Sequence, residues 1–585
     1  MHLAALYGLL GYPTRPINTH NSFITAAHAL LLTVHPHTLL SFKLMSSHPP
    51  WTVNTACYHL STVMSRVAWT NYINQLLLHQ VLLCGSHFEY SKFNKKTIMV
   101  CDKSFSSSYM LLNHEEVGVV DLVHMLRSHA IEKRNFVDCP KGMTEENFNQ
   151  RWLISMSVLA QKILKTIEKP LAATGSGIEY WLNLVSCNRN LGGLIWNWIR
   201  GDMIRPERSL STFISFTGCL DTRIELDKDI VGSGDKDRYN CLLSIMAAKA
   251  SYENPAYLEH TVTDVWKMEL LGSFDFWNDY QRKATTQAFI LRDKKDDSEL
   301  IVVAFRGTET FDADAWSSDV DLSWYELPGI GKVHGGFMKA LGLQKNFGWP
   351  KDLTHRTNNQ ENPLAYYVIR DILKQALKEN NKAKFIVTGH SLGGALAVLF
   401  TAVLMQHKEE DLLHMLEGVY TFGQPRVGDK NFGKFMKENL EKFEVKYYRT
   451  VYSNDLVPRL PYDDSTMMFK HFGTCLYFDS FYNGKIVEEE PNKNYFSLLS
   501  TLPKMINAVW EIIRSFVIPY TRGTDYSEGF VLKMYRLIGL MIAGVPAHGL
   551  QDYVNVVRLG SHLYKDPKMV NHNEIKIVVN DETLK

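Results

Sequence analysis

The stretch "KFIVTGHSLGGALAVLF", residues 384–400, moves from a β-branched run through a glycine-flanked serine into an alanine-rich apolar run. Few backbones accept that order. The pentapeptide Gly389-His390-Ser391-Leu392-Gly393 fits the G-x-S-x-G pattern of a tight strand-to-helix turn, in which small glycines relieve crowding and the serine is held at the tip. The helix that follows would point its N-terminus, with free N–H groups, at that serine. A plain glycine-rich turn is the alternative, and five residues alone do not decide between them.

The surroundings extend the pattern. Residues 286–308, "TQAFILRDKKDDSELIVVAFRGT", read as two strands joined by a charged turn at 294–297. Further on, "NPLAYYVIRDILKQALKENN" reads as an amphipathic helix, and "EGVYTFGQPRVG" and "VKYYRTVYSNDLVPRLP" as strand-plus-loop units. Strands alternating with helices predict an α/β fold, a mostly parallel central sheet flanked by helices.

A serine so presented becomes a nucleophile only with a base and an orienting carboxylate, which in this arrangement follow it in the order Ser, Asp or Glu, His. Asp455, in "SNDLVPRLP", follows a strand where functional loops are presented; Asp429, Asp463 and Asp464 read as solvated turn residues. His548, in "AGVPAHGLQDY", comes late enough to close the sheet, with His471 as rival and His562 more distant. His390 is expected to pack beside the nucleophile. An oxyanion hole needs donors aimed at the carbonyl oxygen that becomes negative. The N–H of Leu392 supplies one, and Thr308 in "VVAFRGTETF", through its N–H and hydroxyl, is the candidate for the other.

Between Thr308 and Phe337, Trp316, Trp324, Tyr325, Leu327 and Ile330 stand among acidic residues. Aromatics so placed are costly to leave in water. A mobile cover with an apolar underside, with Trp316, Trp324 and Tyr325 touching the acyl chain, is one expectation. A fixed amphipathic helix closing the core is the other.

The remaining chain bears on location. Lys+Arg 63 against Asp+Glu 62 gives a net charge of +1, so no overall field recruits nucleic acid. The eight cysteines form no CxxC pair or zinc spacing, and neither metal nor cofactor is expected. Residues 1–88 hold no Asp or Glu and nine of the 22 histidines, and they read as an atypical extension or, second, a membrane-inserted segment. Residues 89–240 read as a helical, apolar region, 241–575 as the catalytic domain with its cover, and 576–585 as a tail. Within 177–201, "GIEYWLNLVSCNRNLGGLIWNWIRG", tryptophans flank apolar residues, as in a buried hairpin or an interfacial anchor.

Taken together, "VVAFRGT", "VHGGF", "VTGHSLGGALA", "TFGQPRVGD" and "NDLVPRLP", in this order, resemble the class 3 or fungal-type lipases of the α/β-hydrolase fold. From about residue 115 to 560 the chain looks closer still to plant oil-body lipases. That resemblance implies triacylglycerol hydrolysis at the cytoplasmic face of a lipid droplet. It carries the triad onto Ser391, Asp455 and His548 and the oxyanion hole onto Thr308, lowers the odds for His471, and matches nothing in residues 1–88. Phospholipase A1 or galactolipase activity, a soluble carboxylesterase and a silent droplet-coating scaffold remain as rivals.

Overall fold

The computed structural model describes residues 108–127, 134–139, 148–278, 281–295, 298–343, 362–461, 469–492 and 501–560. His562, Asp463, Asp464 and the extension 1–88 lie outside them. Fourteen strands can be numbered among the described residues. In chain order they are β1 (Ser108–Leu112), β2 (Val137–Asp138), β3 (Glu269–Asn278), β4 (Lys283–Lys295), β5 (Ser298–Phe305), β6 (Trp324–Leu327) and β7 (Gly331–His334). Then come β8 (Lys384–His390), β9 (Leu416–Phe422), β10 (Gly428–Asp429), β11 (Lys446–Tyr452), β12 (Phe469–Lys470), β13 (Cys475–Phe478) and β14 (Gly484–Val487). The helices used below are α1 (Phe148–Cys187), α2 (Leu191–Arg200), α3 (Phe216–Leu220), α4 (Lys236–Ala250), α5 (Ala313–Val320), α6 (Ala365–Glu379), α7 (Leu392–Gln406), α8 (Lys430–Lys442), α9 (Thr501–Arg522), α10 (Phe530–Leu537) and α11 (Leu550–Leu559).

The larger sheet has the order β14-β13-β11-β9-β8-β5-β4-β3. Its five middle strands are parallel, while β3, β4 and β14 join antiparallel at the two edges. A parallel sheet must be covered on both faces. Along β5 the period of two does this: Ile301, Val303 and Phe305 enter the core shared with α6 and α7, and Val302 and Ala304 enter the core shared with α4 and α11. Helix α7 is buried over almost its whole length, which is why "LGGALAVLFTAVLM" is apolar on every side.

A second sheet, β12-β10-β7-β6-β1-β2, crosses the assigned boundary at residue 241. The region before it is therefore not helical throughout: β1 pairs with β6 and brings Tyr109 opposite Tyr325. Trp324 and Tyr325 are thus strand residues. Tyr325 is 1% exposed and belongs to the main core, and Trp324 packs against a smaller cluster with Lys332 over its ring. Neither stands on a movable cover, because β6 is hydrogen-bonded on both sides by β1 and β7. Only α5, with Trp316, answers to the expected amphipathic element. It is pinned to α1 through the Ser157 hydroxyl, which donates to the Val320 carbonyl at 2.6 Å, and Lys283 bridges Glu168 of α1 to Asp314.

Candidate active site

Ser391 stands between β8 and α7 with φ +57° and ψ −131°, a conformation that costs an L-residue energy and survives only when its surroundings enforce it. The flanking glycines do so. A Cβ on Gly389 would lie 2.2 Å from the carbonyl carbon of Gly393, and one on Gly393 would lie 2.2 Å from the Phe305 carbonyl oxygen. Strand and helix could not close with larger residues. Ser391 N–H is held by the Phe422 carbonyl at 2.9 Å, and Leu392 opens α7, so its N–H belongs to the first turn.

Asp455 follows β11 and is fully buried. Its Oδ2 accepts from Tyr553 Oη at 2.5 Å and from His548 Nδ1 at 2.8 Å, and its Oδ1 accepts from Val457 N–H at 2.9 Å. Three donors fix the direction of the carboxylate. His548 ends the short turn Pro546–His548 just ahead of α11 and remains partly open to solvent. Gly423, at the end of "TFG", has φ +60°, and a Cβ there would lie 2.9 Å from Asp455 Oδ2 and 3.1 Å from His548 Cε1. Only glycine lets β9 pass this pair.

His390 does more than pack. Its Nε2 lies 2.9 Å from the His548 carbonyl, an acceptor only, so Nε2 carries the proton; its Nδ1 then accepts from Tyr252 Oη at 3.0 Å. Burial, then the neighbouring His548, holds the His390 imidazole well below its ordinary value, so it stays neutral. The Tyr252 hydroxyl also packs against Gly307, where an added Cβ would meet it at 2.1 Å. Nothing local in "KASYENP" signals Tyr252, and Tyr553 is equally silent, since each meets its partner across more than 90 residues.

The Thr308 hydroxyl donates to Asp319 Oδ2 at 2.7 Å, and a hydroxyl has one proton to give. Its backbone N–H is therefore the donor left for an oxyanion while Asp319 is ionised. Burial pushes the Asp319 carboxyl up to about 7, against the pull of Thr308 and His548. Among the described residues its Oδ1 has no hydrogen-bond partner. His471 sits elsewhere: it is buried, and its Nε2 donates to the Pro458 carbonyl at 2.7 Å. Asp429 caps α8 by accepting from Phe432 N–H at 2.9 Å.

A parallel sheet carrying a strained serine on a strand-to-helix turn, with a buried Asp–His pair from later loops, defines an α/β-hydrolase. Residues 302–465 match the family described as Lipase (class 3). The "Triacylglycerol lipase OBL1" of Arabidopsis thaliana is 41% identical over 492 residues, which span 78% of this chain and 95% of that one. The protein of the same name from Nicotiana tabacum is 38% identical over 544 residues, again 78% and 95%. The chain belongs to the class 3 lipase family. Among solved structures, the Rhizomucor miehei lipase propeptide complex is similar at 24% identity and a TM-score of 0.31, covering 42% of this chain and 68% of that one.

Proposed function

We propose that this chain is a triacylglycerol lipase in which His548 takes the Ser391 proton as Ser391 attacks an acyl ester, while Asp455 orients the imidazole and stabilises its charged form. The tetrahedral oxyanion is met by the N–H groups of Leu392 and Thr308; it collapses to an acyl-enzyme as His548 protonates the departing diacylglycerol. Water, deprotonated by the same histidine, then releases the fatty acid. The observation that carries this reading is the Ser391 turn, a strained backbone with no evident structural use, in a chain whose Asp455 and His548 lie 2.8 Å apart. Ser391→Ala should abolish hydrolysis of emulsified triolein and labelling by a fluorophosphonate while leaving the thermal transition in place; retained turnover would sink the assignment. Phosphatidylcholine and galactolipid vesicles tested alongside triolein separate this activity from phospholipase A1 or galactolipase activity.

The working site is a lipid droplet or membrane surface at its cytoplasmic face, with residues 241–575 and the strands β1 and β2 that complete their second sheet as the catalytic unit and the helical part of 89–240 as a lipid-associating region. Supporting this, α2 exposes Ile195, Trp196, Trp198 and Ile199 and is capped at both ends, by the Asn190 side chain and by Gly201 at φ +78°. No described helix is long and apolar enough to cross a membrane, so contact of this kind lies along the surface. Replacing Trp196 and Trp198 with serine should weaken recovery with floated droplets, and unchanged flotation would remove α2 from the account.

A further inference from the structure

Helix α9 is built inside out. Along its length Leu502, Ile506, Val509, Ile513, Phe516 and Tyr520 fall at helical spacing on one face and are exposed. The opposite face, which is buried, carries Lys504, Glu511, Arg514 and Ser515 beside only two apolar residues, Ala508 and Ile518. A helix of a water-soluble protein has the reverse arrangement. Helix α10 repeats it: Phe530, Met534 and Leu537 face outward while Arg536 is fully buried, and the turn that follows leaves Met541 85% exposed. The two helices pack on each other, and Lys533 Nζ stands 4.6 Å from the Phe516 ring centre, joining their outer faces.

Both inner arginines are paired. Arg514 Nη2 pairs with Asp552 at 2.8 Å, Arg536 pairs with Glu528 at 2.5 Å and with Asp552 at 3.1 Å, and Tyr482 Oη donates to Asp552 at 2.7 Å. Asp552 precedes Tyr553, whose hydroxyl holds Asp455. The outward apolar face is thus bolted, through buried ion pairs, to the element that fixes the catalytic carboxylate.

We propose that the α9–α10 hairpin is the surface through which the protein lies on a phospholipid-covered neutral-lipid interface, placing the His548 side of the active site against its substrate. This rests on the lipase reading for the chemistry of the partner. Charge argues for that occupant. Of the hairpin's three acids Glu511 and Glu528 are buried and Asp525, in the connecting turn, is exposed; α10 and the turn after it contain no acid, and the basic Arg522 and Lys533 border the apolar face. Such a face suits an apolar layer rimmed by anionic headgroups, and neutral lipid below it accepts the large side chains. Continuous exposed apolar surface of this extent is otherwise uncommon on soluble proteins.

The test uses the full chain carrying Ser391→Ala, so that binding is read without turnover, and emulsified triolein coated with phosphatidylcholine and phosphatidylserine. Tyr520→Asp and Met541→Asp alter positions 90% and 85% exposed, on which packing does not depend. Each should lower the fraction recovered with floated emulsion, and together the loss should be on the order of tenfold or more, since each places a charge in an apolar layer. The same pair in the Ser391 enzyme should leave hydrolysis of p-nitrophenyl butyrate below its solubility limit unchanged. Flotation equal to the parent overturns the proposal, as does a parent that dimerises in sedimentation while the double variant does not, which would assign the face to a second copy. An enzyme retaining Ser391 that floats but fails to hydrolyse triolein would instead refute the lipase reading and leave the docking surface standing.

Discussion

His390 Nε2–H donates to the main-chain carbonyl of His548, so the residue before the nucleophile holds the backbone of the candidate base. With Tyr252, which packs against Gly307, on its other nitrogen, His390 ties three pieces together: the Gly307–Thr308 loop, the serine turn and the His548 turn. Tyr252→Phe removes the donor to His390 Nδ1. Leaving such a group unpaired in a buried site costs about 1–3 kcal/mol. The expected result is a fall in kcat of roughly tenfold with little change in KM, because the parts displaced act on the transition state. Equal losses in both constants would make Tyr252 a substrate-binding residue instead.

Gly423→Ala sets a methyl group against the Asp455–His548 pair at a position with φ +60°. The strained backbone alone costs on the order of 1–3 kcal/mol. Both stability and kcat should fall, whereas Gly177→Ala, inside α1 with nothing within 4 Å, should leave kcat unchanged and raise stability by up to about 1 kcal/mol. Chemical denaturation and steady-state rates on a soluble ester compare the two.

Asp319 is raised to about 7 by burial, so it is largely protonated below that pH and ionises above it. Protonated, it can donate to Thr308 Oγ1 and free the hydroxyl proton for the oxyanion; ionised, it takes that proton and adds negative charge beside the developing one. The parent should therefore lose kcat/KM as pH rises through about 7, and Asp319→Asn should lack that limb. Superimposable pH profiles would exclude the effect.

His471 is held neutral by burial and by the nearby Arg449, well below its ordinary value. A group so depressed contributes stability above its unfolded value, near 6.5, and that contribution is lost as pH falls, because the unfolded chain takes up a proton the folded one refuses. The slope is about 1.4 kcal/mol per pH unit for each such histidine. Glu253, raised to about 7 by burial, acts in the opposite sense, so the diagnostic quantity is a difference. His471→Gln keeps a donor for the Pro458 carbonyl, and it should lose less stability than the parent between about pH 6.5 and about pH 5 in urea titrations.

The serine turn was legible because its requirements are local: a strand, two glycines and a helix within 23 residues, 384–406. Asp455 and His548 came from chain order and family likeness. Tyr252 and Tyr553 could not be read, since a tyrosine that hydrogen-bonds across the fold resembles any core tyrosine. Trp324 and Tyr325 were misjudged because a four-residue strand, "WYEL", is too short for its alternation to be heard among acids, and its partner β1 lies some 200 residues earlier. Along α9 the apolar residues recur at helical spacing. Spacing reveals two faces; it does not tell which one the protein keeps.

The pairing of β1 with β6 has a practical consequence for anyone shortening this chain. A fragment beginning at residue 241 would shed β1 and β2 and leave β6 with a bare row of N–H and C=O groups, an edge prepared for pairing with a neighbouring molecule. It would also strip the aromatic face of Tyr325 of its stacked partner, Tyr109. A stable enzyme is thus expected to need β1 and β2, which precede the larger sheet in sequence and form part of the second sheet's wall.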